Sequence, residues 1–161
     1  GRLVAAKAKA LGMEVWAFDP FVPTEKMEAE GVKVPATLEE LYANCDYISL
    51  HIPANEKTKG SINYELLSKM PKGGCLVNTA RKEVIDEAGM EKLLAERTDL
   101  KYVTDIAPAN QATLEQFAPR FFATPKKQGA ETAEANMNAG LAAARQIVGF
   151  IENGETKFKV N

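Results

Sequence analysis

The chain reads as an α/β protein organised on a doubly wound parallel sheet. Three observations point there. Short apolar runs alternate with amphipathic stretches along the 161 residues, the rhythm of successive βαβ units. One run, Cys75-Leu76-Val77, follows the turn Lys72-Gly73-Gly74 and is apolar at consecutive positions, as a strand buried on both faces of a parallel sheet is. Polar residues, Asn78, Thr79 and Arg81, then crowd the carboxyl end of that run, where open α/β sheets place their ligands.

The elements follow in order. Residues 4–11 form a helix closed by Gly12, and 13–20 a strand that stops at Asp19-Pro20. A helix ending in Gly and feeding a strand that ends in Asp is the second half of a dinucleotide-binding βαβ unit. Gly1 and Asp19 are separated by about 18 positions, close to the roughly 20 between a glycine-rich turn and its acidic partner. Gly1 is therefore expected to be the third glycine of a G-x-G-x-x-G turn, with the unit's first strand outside the sequence. Lys33-Val34 is an edge-strand candidate. Thr37, followed three residues later by Glu40, opens a helix with a capping box. Residues 45–53 make a strand closed by Pro53, and Asn63 caps a helix over 64–69. After the central strand come a helix over 87–96, a strand over 100–106 and a short strand over 121–125. A long Ala-rich helix over 131–153 and an alternating tail over 156–160 finish the chain. The fold class expected is thus a Rossmann-type α/β sheet lacking strand 1, with a long C-terminal helix and tail. Residues 1–150 are expected to be one nucleotide-binding domain, and 151–161 a tail returning toward a substrate domain outside the sequence.

Composition narrows the function classes. Net charge is -2 and hydrophobic residues make up 45 %, enough for a core at this length. The 20 Lys and Arg residues are scattered, so neither nucleic acid nor a membrane surface is expected as partner. No apolar run approaches the roughly 18 residues of a span. Cys45 and Cys75 lie outside metal-ligand spacing and read as reduced core thiols of a cytoplasmic protein. A single His leaves little for a metal site, and none is expected.

His51-Ile52-Pro53 with Thr58, the block from Met70 to Arg81, Thr104-Asp105-Ile106, and Thr124-Pro125 followed by Gly129-Ala130-Glu131-Thr132 together resemble the nucleotide-binding domain of the D-isomer-specific 2-hydroxyacid dehydrogenases. The helix following Glu131-Thr132-Ala133-Glu134-Ala135-Asn136 tilts the resemblance to the phosphoglycerate branch. It implies NAD as cofactor, a 2-hydroxy or 2-oxo acid as substrate, and a homodimer. By the same resemblance Gly1 and Arg2 lie under the pyrophosphate at a helix amino end. Asp19, with Pro20, takes the ribose hydroxyls and favours NAD over NADP. His51, Ile52, Pro53 and Thr58 line the adenosine and phosphate side. Thr79, Ala80 and Asp105 border the nicotinamide, and Asn78, Gly129 and Ala130 also belong to the cofactor-binding set.

The family's catalytic trio is an Arg, a Glu and a His. Arg81 matches the substrate-orienting Arg. Asn110 stands where the Glu is expected, and Lys126 where the His is expected, with Lys127 as a weaker alternative. The two departures fit each other. A carboxylate favours an imidazolium, whereas a Lys base needs its proton destabilised from a usual pKa of about 10.4. Neutral Asn110 withholds the stabilising charge. The resemblance thus implies NAD-dependent oxidation of 3-phosphoglycerate with Arg81, Asn110 and Lys126 as catalytic set. Alternatives are a glyoxylate/hydroxypyruvate or other D-2-hydroxyacid reductase and, from another class, a non-catalytic NAD(H)-binding sensor.

Overall fold

The computed structural model describes residues 1–125, 129 and 131–159. They fall into two units, Gly1–Pro125 and Lys126–Asn161.

The first unit starts with helix α1 (Arg2–Ala10), which stops because Gly12 takes φ 84°, a conformation most side chains resist. The strand expected over 13–20 is reduced to one parallel bridge, Trp16 to Lys33. Lys33 N donates to Val15 O and Ala17 N to Lys33 O, both at 2.9 Å. The pairing ends there because Pro35 has no N–H to extend it, and among the described residues no strand flanks the other side of 13–20. Lys33 reinforces the bridge by an ion pair with Glu14 at 2.7 Å and by lying over the Trp16 ring. Helix α2 (Thr24–Ala29) was not foreseen: its six residues are too few to show a period. In α3 (Leu38–Asn44) Thr37 Oγ1 accepts from Glu40 N at 3.1 Å. Glu40 reaches back to Ala36 N at 2.8 Å, one residue beyond the usual capping-box target.

The sheet comprises β1 (Tyr47–Leu50), β2 (Cys75–Asn78), β3 (Lys101–Thr104) and β4 (Phe121–Ala123), all parallel and in the order β1-β2-β3-β4. Three helices connect them: α4 (Tyr64–Leu67), capped by Asn63 accepting from Leu66 N at 3.0 Å; α5 (Glu87–Glu96); and α6 (Gln111–Leu114). β1, β3 and β4 are shorter than the strands expected over 45–53, 100–106 and 121–125, whereas β2 covers its whole apolar run and adds Asn78. One row of the sheet, Ile48, Leu76, Tyr102 and Phe121, is aligned by register and buried beneath Tyr42, Leu67, Met90, Leu93 and Leu94. The opposite face is half open: Tyr47 is 66 % and Phe122 56 % exposed. Among the described residues β1 pairs only with β2, and the Trp16–Lys33 bridge makes no backbone hydrogen bond to it.

At the amino ends of the strands Arg97 grips Asp99 with two bonds of 2.9 and 2.8 Å and donates to the Ser68 carbonyl at 3.2 Å. Asp99 accepts from Gly73 N at 2.9 Å. This couples the turns that launch β2 and β3. The positive neighbour and the Gly73 amide hold the Asp99 carboxyl well below the usual carboxylate range.

The second unit is helix α7 (Ala133–Asn153), capped by Thr132 accepting from Ala135 N at 3.1 Å and closed by Gly154 at φ 67°. It begins two residues later than expected because Thr132 is its cap. The alternating tail is no strand over 156–159. Lys159 N instead closes a turn on Thr156 O at 3.0 Å. Among the described residues no helix is long and apolar enough to cross a membrane.

Candidate functional site

The register fixes the site. Leu50, Asn78, Thr104 and Ala123 end their strands side by side. The next residues, His51, Thr79, Asp105 and Thr124, therefore form a row just beyond the sheet, with neighbours about 4.8 Å apart. Residues distant in sequence thus converge because parallel strands all point the same way.

Arg81 lies exposed behind this row. Its guanidinium bonds only the Ala80 carbonyl, at 2.8 Å, among the described residues, leaving most of its donor fork available. Asn78, 1 % exposed, shapes the loop: Oδ1 accepts from Ala80 N and Nδ2 donates to the Arg81 carbonyl, both at 3.0 Å. Its side chain is thus committed to the loop, while Thr79 stays exposed and Ala80 half-buried. Asp105 is half-buried, and its Oδ1 is buried with no hydrogen-bond partner among the described residues. Such an orphan is costly unless a donor meets it.

Asn110 caps the start of α6 without a side-chain capping bond. Its Nδ2 turns to the first turn of α5, to Glu87 O at 3.2 Å and toward Glu91 Oε2 at 3.5 Å, and its Oδ1 is buried and unpartnered among the described residues. Lys126, Lys127 and Ala130 lie outside the described residues. Gly129 is an exposed turn residue of the second unit.

On the other side of the site, Gly1 precedes α1 with no side chain to cap it, leaving the first helical N–H groups free. A Cβ on Gly1 would meet the His51 ring at 3.5 Å, ordinary contact, so the neighbouring protein does not by itself demand glycine. Arg2 forms an ion pair with Glu30 at 2.6 Å, so its side chain is turned to α2. His51 Nε2 meets Ser49 Oγ at 3.0 Å. Partial desolvation pushes its imidazole below the usual value. Ile52 packs against the core, and Pro53 is exposed. The Thr58 hydroxyl is used within its loop, donating to Pro53 O at 2.6 Å and accepting from Asn55 N at 2.8 Å. Asp19 accepts from Phe21 N through Oδ1 at 2.9 Å, which orients the carboxylate. Asp19 and Pro20 line a cleft of about 500 Å³ with Phe18, Phe21, Val34 and Pro35.

Residues 1–126 match the family described as D-isomer specific 2-hydroxyacid dehydrogenase, NAD binding domain. The chain belongs to this family. The D-3-phosphoglycerate dehydrogenase of Methanocaldococcus jannaschii is 34 % identical over 151 residues, 91 % of this chain and 28 % of that protein. The hydroxypyruvate reductase of Thermotoga maritima is 35 % identical over 156 residues, 91 % of this chain and 48 % of that one. Among solved structures, the NAD⁺-bound 3-phosphoglycerate dehydrogenase of Entamoeba histolytica superposes with a TM-score of 0.86 at 48 % identity, covering all of this chain and 51 % of that one. The chain thus spans between a quarter and a half of the length of these relatives.

Family membership gives the geometry its scale. The free N–H groups of α1 suit a phosphate, the Asp19 cleft suits a ribose and its flat base, and the orphan Oδ1 of Asp105 suits an amide donor. The residues present therefore fit a nicotinamide dinucleotide laid across the strand ends. Among the described residues no group of three His, Cys, Asp or Glu side chains could hold a metal ion. Burial raises both thiol pKa values, Cys45 and Cys75, which keeps them in the unreactive protonated form. Sequence reasoning passed over Phe21, whose amide aims Asp19, and Thr104 as a site residue. Thr104 carried a signal: it shares side-chain parity with buried Tyr102.

Proposed function

We propose that this chain is the cofactor half of a cytoplasmic, homodimeric NAD-dependent dehydrogenase that oxidises 3-phosphoglycerate to 3-phosphohydroxypyruvate. The observation that carries the reading is the placement of the Asp105 acceptor, unpartnered among the described residues, just past β3 and of the Arg81 fork just past β2, at the carboxyl ends of neighbouring strands. The phosphoglycerate dehydrogenase relatives support the substrate. In this reading residues 1–150 make up the cofactor domain.

When bound, the cofactor supplies hydride transfer at its nicotinamide. The chain's own residues do the rest. Gly1 and Arg2 present backbone donors to the pyrophosphate, and Asp19 takes the ribose hydroxyls while its charge rejects a 2′-phosphate. His51, Ile52, Pro53 and Thr58 wall the adenosine side. Thr79, Ala80 and Asp105 face the nicotinamide side, with Asp105 accepting from an amide N–H. Arg81 grips the substrate carboxylate with two parallel N–H donors. Lys126 takes the C2 hydroxyl proton as base, and neutral Asn110 withholds the charge that would hold the proton on its amine. In reduction the same proton returns from Lys126.

The likeness to a hydroxypyruvate reductase supports a second reading, reduction of an unphosphorylated 2-oxo acid. The test is kcat/KM of the full-length protein on 3-phosphohydroxypyruvate, hydroxypyruvate and glyoxylate with NADH. Preference for the phosphorylated acid is expected. Preference for either unphosphorylated acid moves the assignment to the second reading, and NADH binding without turnover on any of them makes the protein a sensor.

A further inference from the structure

Among the described residues, two are both polar and buried: Asn78 at 1 % and Thr104 at 2 % exposure. They are register partners at the ends of β2 and β3. Buried polar side chains persist where their hydrogen bonds are made, and those of Thr104 all converge on one residue's surroundings. Thr104 Oγ1 lies 3.0 Å from the carbonyls of Asn78 and Ile106, sharing its proton between them, and accepts from Ile106 N at 3.2 Å. Asp105, between Thr104 and Ile106, is pinned on its own account. Its N–H donates to Asn78 O at 3.2 Å, and its carbonyl accepts from Thr124 Oγ1 at 3.1 Å. Thr124 N in turn donates to Thr104 O at 3.0 Å. The backbone that carries the Asp105 carboxylate is therefore held on both sides, by hydroxyls from two strand ends, and is tied through Asn78 to the loop that carries Arg81.

We propose that Thr104, backed by Thr124, is a positioning residue: its hydroxyl fixes the Asp105 carboxylate at the nicotinamide end of the site and sets its register against Arg81. The inference rests on the reading of Asp105 as acceptor of a nicotinamide amide. A carboxylate on a loose turn would have to be ordered by the ligand, at the ligand's expense in affinity. A carboxylate already locked in place meets the donor without that loss.

The test measures binding of NADH and of ADP-ribose, which lacks the nicotinamide, to the full-length protein and its Thr104→Val, Thr104→Ser and Thr124→Val variants. Thr104→Val removes the hydroxyl at nearly constant volume. It should weaken NADH by about tenfold, the scale of one well-made hydrogen bond, and leave ADP-ribose within about twofold. Thr104→Ser should restore NADH affinity. Thr124→Val deletes the bond to the Asp105 carbonyl and should repeat the pattern, which keeps the inference testable if Thr104→Val does not fold. Equal loss of both ligands, or no loss of either, overturns the inference. A parent protein that binds NADH no more tightly than ADP-ribose removes the Asp105 contact beneath it, and one that binds neither overturns the NAD reading as well.

Discussion

Asn78 and Arg81 are joined by a side-chain bond: Asn78 Nδ2 donates to the Arg81 carbonyl at 3.0 Å. With Ala80 N donating to Oδ1 at the same distance, one buried amide fixes the three residues that follow β2. Asn78→Ala leaves the Ala80 N–H and the Arg81 carbonyl without these partners. Stability should fall by about 1–3 kcal/mol, the usual cost of stranding such groups, and kcat/KM should fall with it because Arg81 is no longer aimed. Asn78→Asp tests the same point: a carboxylate can accept from Ala80 N and cannot donate to Arg81 O. Denaturant melts and steady-state kinetics on both variants check this, and a variant that keeps parental kcat/KM would separate the loop's shape from its chemistry.

Tyr42 gives a prediction of opposite sign. It is 1 % exposed, and its hydroxyl is buried with no partner among the described residues. Burial alone raises its phenol. An unpartnered buried hydroxyl costs free energy that a phenyl ring does not. Tyr42→Phe should therefore be neutral or stabilising by up to about 1 kcal/mol, whereas most core substitutions destabilise. Calorimetry decides, and a clear loss of Tm would show that Tyr42 finds a partner in solution.

These residues also show why part of the molecule was legible in its sequence. Caps are local, so Thr37 and Asn63 announced α3 and α4, and the span of α5 could be read to the residue. Strand 13–20 could not, because a strand exists only with its ladder, and whether Lys33 pairs one residue or five is a non-local matter. α2 and α6 are too short to show a helical period. In the site, Arg81 and Asp105 stood out by their place at strand ends. What residue type could not reveal is where each hydrogen bond goes: that the Thr58 hydroxyl closes its own loop, that Arg2 turns to Glu30, and that Asn78 and Thr104 serve backbone groups.

Acid should find the Arg97–Asp99 pair. The folded-state pKa of Asp99 is depressed below the unfolded value of about 3.9. Its contribution is therefore fully present above that value and drains away as pH falls through the folded one. Asp99→Asn should melt below the parent at pH 6, and the gap between the two curves should narrow as pH falls below about 4 toward 2. A constant gap between them down to pH 2 would mean that the carboxylate charge is not what Arg97 and Gly73 recognise.

Cofactor choice should follow Asp19. Its carboxylate is aimed by Phe21 N at 2.9 Å and lines the cleft beside α2. The parent should favour NAD⁺ over NADP⁺ in kcat/KM, and Asp19→Ala should narrow the ratio chiefly by weakening NAD⁺, with removal of charge repulsion helping NADP⁺. Equal use of both cofactors by the parent would end the assignment of Asp19.

The last prediction concerns the pair Asn110 and Lys126. Asn110 Nδ2 faces the Glu87 carbonyl and, at 3.5 Å, the Glu91 carboxylate. Asn110→Glu would set a third carboxyl group against these two acidic residues and would lose both contacts, since a carboxylate cannot donate. The variant should be less stable than the parent, and adding Glu91→Gln should recover part of the loss because like charges no longer oppose each other. The kinetic consequence is separate. A Lys base must be neutral to act, and in the proposed catalytic set a carboxylate at position 110 favours the ammonium form. If Lys126 is the base, the rising limb of kcat/KM against pH should move to higher pH in Asn110→Glu. Lys126→Met should remove that limb and lower kcat by about 10²- to 10⁴-fold, the usual worth of a positioned acid/base, with NADH binding retained. Asn110→Glu moving the limb to lower pH is the behaviour expected of no lysine base, and near-normal turnover in Lys126→Met would hand the proton to Lys127 or to a group elsewhere in the full-length protein.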